Sequence, residues 1–287
     1  MSVNNKFVFV TSCGPKNIDR TQKCIDSWKK YGAEIYAVQL EEEAENIKKV
    51  YYDVNVISTA HRGSSIWSKK TPNILELIKL TEYSDVIIIN SDIEITYSLE
   101  DFYKETSLPN EKAFLCGIRY NKNKTPMTIS SRPSWWEPFG IDLFKIPKGS
   151  LDFFKDFNKI PFAIGMPGWD FWLPYFLYSK GFEFKNIKMT TNLSHEYHSK
   201  SWDEEDLILT NILFKRVLNI SIKEITEWIQ EMTGRKGWDF NMAYSKTASI
   251  IENKANSSEK EMVIAPMLVS WPPTTRKISQ KLRKNLI

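Results

Sequence analysis

The stretch "VIIINSDIEI", Val86–Ile95, decides how this chain is read. Its four opening residues, Val86–Ile89, are all apolar and β-branched, as in a strand covered on both faces. The strand then runs into Asn90-Ser91 and two carboxylates, Asp92 and Glu94. Either the strand surfaces and its tip is solvated, or the tip holds a cation. Residues two apart in a strand face the same way and lie about 6.6 Å apart along the chain. The two acids can share one ion only if the backbone turns there, or if one acts through water. Oxygen ligands of this kind suit a hard divalent cation.

Upstream, strand and helix patterns alternate. "KFVFVTS" (Lys6–Ser12) reads as a strand. A helix follows, with Asp19 as its N-cap, Gly32 as its stop, and Ile18, Cys24, Ile25 and Trp28 as its apolar stripe. Glu34–Leu40 is a second strand, and "EEEAENIKKVYY" is a short helix with its acids at the favourable end. Val54–Thr59 is a third strand, and "TPNILELIKLTEY" is a helix with Pro72 near its start. Four strands joined by helical crossovers predict a parallel sheet with helices on both faces. Ligands of such sheets bind beyond the carboxyl ends of the strands. That rule puts Thr11–Ser12, Ser58–Arg62 and Asn90–Glu94 on one rim.

The second half changes character. "AFLCGIRY" and "WEPFGIDLFKIP" read as strands separated by a polar loop, Asn121–Pro133. "LDFFKDFNKI" is a short helix, and a Pro/Gly turn feeds an aromatic helix in "PGWDFWLPYFLYSKG". "FEFKNIKM" is a strand, and "TNLSHEYHSKSWDEED" reads as a loop carrying two histidines. From Glu204 onward the pattern is helical, and it ends in a basic tail.

Composition narrows the class. Lys and Arg number 39 against 35 acidic residues, too balanced for nucleic-acid binding by bulk charge. Three cysteines with no CxxC spacing argue for a reducing, cytoplasmic setting without a disulfide framework. No signal-peptide pattern opens the chain, and no apolar run approaches the roughly 20 residues of a membrane helix. Aromatics make up 13% of the chain, enough either to line a sugar-stacking groove or to fill a core.

The alternating half, the acids after an apolar strand and the more variable second half together resemble a GT-A glycosyltransferase, from about Lys6 to Trp202. The resemblance implies an α/β, Rossmann-like fold: a mostly parallel sheet flanked by helices, with a helical C-terminal extension. It divides the chain into a glycosyltransferase domain, 1–202, and a helical region with the basic tail, 203–287. Within the domain, 1–95 is the nucleotide-binding half and 96–202 the acceptor half. It further implies Mn²⁺ or Mg²⁺ held by the acidic motif against the diphosphate of a UDP- or GDP-sugar. Here that motif reads Asp92-Ile93-Glu94 in place of D-x-D. A histidine after the last core strand completes the metal site in many such proteins. His195 fits that place best and His198 next, the other reading being rings packed against Tyr197 or Trp202.

The same resemblance makes Asp170, at the start of the aromatic helix, the general base that deprotonates an acceptor hydroxyl with inversion, retention standing as the alternative because sequence neither assigns nor excludes a covalent nucleophile. Its plain alternative is a helix-capping carboxylate. Trp169 and Trp172 would wall the acceptor site, with Trp135, Trp136 and Asp142 as further sugar contacts. Thr11, Ser12, Arg62, Lys70, Ser91, Asp92 and Arg119 are the expected nucleotide contacts, with His61 and Lys69 beside them. Arg119 lies in an apolar strand and needs a partner, for which Asp142 is the candidate.

The function implied is sugar transfer from a nucleotide-diphosphate sugar to a hydroxyl of a glycan, glycolipid or protein-linked sugar. Two other readings stand. A sugar nucleotidyltransferase would carry a Gly-rich loop after the first strand, where "TSCGPKN" has one Gly. A non-catalytic sugar- or nucleotide-binding protein would keep the fold alone. In the tail, Ile278, Leu282 and Leu286 form an apolar stripe among basic residues, compatible with peripheral contact with an anionic membrane.

Overall fold

The computed structural model describes residues 7–63, 69–122, 141–155, 162–187, 191–196, 198, 206 and 210. Trp135, Trp136 and the basic tail lie outside the described residues, as does all of the C-terminal helical region except Asp206 and Thr210.

The first half builds β1 (Phe7–Thr11), α1 (Ile18–Lys29), β2 (Ile35–Leu40), α2 (Glu41–Val50), β3 (Asn55–Thr59), α3 (Ile74–Ile78) and β4 (Asp85–Ile89). The second half builds β5 (Ile93–Ile95), α4 (Leu99–Thr106), β6 (Ala113–Ile118), β7 (Tyr120–Lys122), β8 (Ile141–Ile146), α5 (Trp169–Ser179), β9 (Glu183–Ile187) and β10 (Leu193–Glu196). The main sheet has seven strands in the order β3-β2-β1-β4-β8-β6-β9. All run the same way except β8, which is antiparallel to both of its neighbours. This is the mostly parallel, Rossmann-like α/β sheet that the alternation predicts.

Side chains alternate between the two faces of each strand. Phe9, Ala37, Ile87, Ile89, Leu115 and Leu143 pack with Ile25 and Trp28 of α1 and Ile47 of α2. Val10, Val38, Val86, Ile88, Phe114 and Phe144 pack with α3 and α5. From β1 the chain steps outward to β2 and β3 along one face, then returns through α3 on the other face to β4. The strand order therefore reverses between β1 and β4. Doubly wound sheets bind ligands at that crevice.

A second, three-stranded sheet, β5-β10-β7, stands beyond this crevice. It corrects two sequence expectations. Val86–Ile95 is not one strand: Ile93 N–H donates to the Asn90 carbonyl at 3.2 Å, and the chain turns from β4 into β5. The His195 segment is not loop, because His195 sits in β10 between Ile93 of β5 and Asn121 of β7. Helix α1 pins β5 from behind. Trp28 Nε1 donates to the Ile93 carbonyl at 2.8 Å, and Ser27 Oγ accepts Ile95 N–H at 3.0 Å.

Smaller expectations also shift. Asn17, in the left-handed region at φ 59°, precedes α1, and Asp19 lies in its first turn instead of capping it. The predicted helix at 71–83 divides into α3 and a 3-10 turn, Lys79–Glu82. The described start of the predicted helix at 151–160 is another 3-10 turn, Ser150–Phe154. Asp206 and Thr210 are helical and buried, and Thr210 Oγ1 donates to the Pro167 carbonyl at 3.1 Å, just ahead of α5. Among the described residues no helix is long and apolar enough to cross a membrane.

Candidate active site

The turn after β4 delivers Asp92 to the crevice. Its Oδ2 lies 2.9 Å from His198 Nε2 and 3.4 Å from His195 Nε2, and the two imidazole nitrogens are 3.2 Å apart. One ligand atom from each residue falls within 4.8 Å of the others. His195 is almost fully buried, and His198 and Asp92 are partly exposed. Burial alone would raise the Asp92 carboxyl. The hydrogen bonds from His195 and His198, with the charge of Arg119 nearby, outweigh it and hold the group well below the usual carboxylate range.

The chemistry of this donor set fits a divalent ion. A carboxylate oxygen and a neutral imidazole nitrogen are both lone-pair donors, so three of them converging on one point need protons or a cation between them. The partner of His195 on its other side fixes its orientation. Nδ1 of His195 lies 2.8 Å from Asn121 Oδ1, which leaves Nε2 turned toward Asp92.

Glu94 does not join this cluster. Ile93 and Ile95 are buried, so Glu94 points the other way from β5, as strand alternation requires. Its carboxylate meets Lys122 of β7 at 2.7 Å and Lys23 of α1 at 3.3 Å. The D-x-E motif thus separates its acids: Asp92 to the candidate metal centre, Glu94 to the frame that ties β5, β7 and α1 together.

Because β8 runs against its neighbours, its first residues lie beside the last residues of β4. Asn90 N–H donates to the Asp142 carbonyl at 3.1 Å, and Asn90 Nδ2 donates to Asp142 Oδ1. Arg119 lies between β6 and β7 and not within a strand as expected, and its Nη1 donates to Asp142 Oδ2 at 2.9 Å, the partner expected of it. Burial raises the Asp142 carboxyl against the pull of Arg119.

Asp170 stands in the first turn of α5. The residue ahead of the helix is Gly168, whose φ of 99° favours glycine. Asp170 Oδ1 accepts the Gly168 N–H at 3.2 Å, so the carboxyl does serve the helix start. It also responds to its surroundings. Burial, then the charge of Asp142, push it up to about 7, against backbone hydrogen bonds and Arg119. Pro174, four residues on, has no N–H to give to the Asp170 carbonyl.

Other candidates are placed less directly. Trp169 and Trp172 are not exposed walls. Trp169 packs on Phe144, and Trp172 stacks on Phe162 and Phe176, both inside the core. The reason is that α5 is apolar on nearly every side and must bury most of itself. Thr11 is fully buried at the end of β1, so its side chain is not offered to a ligand. Ser12 and Ser91 are partly exposed on the rim, and Ser12 Oγ donates to Gln39 Oε1 at 3.4 Å. Arg62 and Lys70 are exposed beyond β3, where Arg62 pairs with Pro72 in an isolated bridge. Beside them, His61 Nδ1 lies 3.1 Å from Glu76 Oε1. All three cysteines are buried, and burial pushes the Cys13 and Cys24 thiols up to about 12, so neither acts as a nucleophile. Sequence marks Asn121 only as the start of a polar loop, and Asn90 only as part of the small-residue tip of the strand. The available signal was a polar residue set against the end of an apolar strand, in "VIIIN" and "CGIRYN".

No family model and no curated protein matches the sequence. Among solved structures, S. aureus TarS 1-349 in complex with UDP-GlcNAc is similar with a TM-score of 0.46 and 12% identity, over 98% of this chain and 89% of that one. A crystal structure of S. aureus TarS gives 0.42 and 13% over 98% of this chain and 54% of that one. The inositol-1-phosphate CTP transferase from T. maritima gives 0.44 and 11% over 79% of this chain and 96% of that one. At TM-scores of 0.46 and below, none of the three lends this chain a reaction.

Proposed function

We propose that this chain is a divalent-metal-dependent glycosyltransferase that moves a sugar from a nucleotide-diphosphate donor to an acceptor hydroxyl with inversion. The observation that carries the reading is the convergence of Asp92, His195 and His198 beyond the carboxyl end of β4, with Asp170 raised to about 7 within the field of Asp142 and Arg119. The three converging residues would hold the ion. Mixed nitrogen and oxygen donors favour Mn²⁺ over Mg²⁺, which prefers oxygen alone. When bound, the ion supplies positive charge against the diphosphate that leaves.

The chain's own groups do the rest. Asp170 takes the proton of the acceptor hydroxyl as its oxygen bonds to the anomeric carbon and the bond to the diphosphate breaks. A carboxyl near 7 is suited to that transfer, because it is ionised at working pH yet basic enough to accept. Asp142 keeps Asp170 basic, and the Arg119 guanidinium pulls the Asp142 carboxyl down against the upward push of burial. Ser12 and Ser91 flank the crevice where the nucleotide would lie, in the half formed by residues 1–95. The acceptor would approach over residues 96–202. The single glycine in the loop after β1 favours sugar transfer over nucleotidyl transfer.

Calorimetry with UDP and with GDP, each with and without Mn²⁺, tests the reading. Metal-enhanced binding of one nucleotide is expected. Failure of both to bind under either condition sinks the proposal. A screen of sugar nucleotides for slow hydrolysis then names the donor.

A further inference from the structure

We infer that Asn121 is the positioning residue of the Asp92–His195–His198 centre, fixing His195 with its proton on Nδ1 and its Nε2 lone pair toward the ion. This rests on the reading of that cluster as a metal centre. The inference follows from a sequence of forced choices. Arg119 never loses its proton, so every guanidinium nitrogen it presents is a donor. Its Nη1 is committed to Asp142 Oδ2 at 2.9 Å, and its Nε points at the Asn121 side chain at 3.2 Å. Only the oxygen of an amide accepts, so the Asn121 atom facing Arg119 is Oδ1. The same Oδ1 faces His195 Nδ1 at 2.8 Å. That nitrogen must therefore carry a proton, and in the neutral ring that metal binding requires this leaves Nε2 as a lone pair.

Strand pairing makes this arrangement rigid. Asn121 and His195 are register partners in β7 and β10, and both are buried, Asn121 completely. On the other side of β10, His195 is the register partner of Ile93, next to Asp92. The ring is thus held between its supporting oxygen and its fellow ligand by two ladders. A buried ring without a fixed partner would populate both tautomers, only one of which offers Nε2 to an ion.

The test uses Mn²⁺ alone as probe, read by electron paramagnetic resonance titration of the full chain. Wild type is expected to bind. Asn121→Leu, similar in size but unable to accept, should weaken binding about 10–100-fold. Asn121→Asp keeps both accepted bonds and should bind at least as tightly as wild type. Equal affinity of wild type and N121L, or failure of N121D to restore binding, overturns the positioning role. Failure of wild type to bind removes the metal centre itself, which is a separate outcome. Where N121L does not fold, nitrogen-15 imidazole spectra of the metal-free wild type at a pH where the ring is neutral decide. A proton on His195 Nδ1 is expected, and a proton on Nε2 overturns the inference.

Discussion

His198 Nε2 lies 2.9 Å from Asp92 Oδ2, the same oxygen that His195 approaches from β10. Two imidazoles from one short segment thus meet a carboxylate from a distant turn. Replacing Asp92 by Asn, or His198 by Ala, should cost more than the roughly 100-fold in Mn²⁺ affinity that loss of a supporting bond can cause. Affinity should also fall on acidification, because imidazole must be neutral to bind metal. Mn²⁺ titrations at pH 7.5 and pH 5.5 check both statements.

Glu94→Gln should behave in the opposite way. Its carboxylate serves Lys122 and Lys23, so metal affinity should stay at the wild-type value. The partly exposed pairs contribute about 1 kcal/mol or less. Urea unfolding beside a metal titration separates the two effects. A large loss of metal binding would return Glu94 to the centre.

Asp170 gives a pH signature with a definite sign. As a base it must be ionised, so transfer should rise with pH through about 7 and level off above. Its folded carboxyl is raised, so protonation favours the folded state. That contribution is fully present below the unfolded value near 3.8 and is lost as pH rises through about 7. Asp170→Asn keeps an oxygen for Gly168 and carries no charge. It should abolish transfer, raise the melting temperature at pH 8, and leave it nearly unchanged at pH 4.

Trp172 belongs to the core, stacked between Phe162 and Phe176. Truncation to Ala should destabilise the protein by about 3–5 kcal/mol. Trp172→Phe should retain the fold and most of the activity. Selective loss of sugar transfer without loss of stability would restore a sugar-stacking role.

The buried thiols should be silent. In the folded protein none of Cys13, Cys24 or Cys116 should react with iodoacetamide at pH 8, and all three should react on unfolding. Mass spectrometry of labelled protein counts them.

Much of the sheet was legible because β1 through β4 obey local rules: apolar β-branched runs, amphipathic crossovers and, after α1, a terminal glycine, Gly32. Asp92 was legible for the same reason, as the polar end of a buried strand. His195 stood out in sequence as a residue able to hold a metal, but not as part of a strand. "LSHE" has no alternation of its own and becomes β10 only through pairing with β5 and β7. Glu94 was misjudged because the turn at Asn90–Ile93 is set by tertiary anchoring of β5 under Trp28, which no local pattern announces. The tryptophans of α5 were misjudged because an aromatic helix has the same composition whether it walls a groove or fills a core.

The reversed direction of β8 also bears on how such a protein can diversify. The chain leaves β7 at Lys122, three residues past Arg119, and re-enters the sheet at Ile141, next to Asp142. A connection that starts and ends close in sequence to Arg119 and Asp142 can be lengthened, shortened or exchanged without cutting a strand of the main sheet. Under the proposed function, replacement of that one segment would change acceptor preference while Asp92, His195, His198 and Asp170 keep their places.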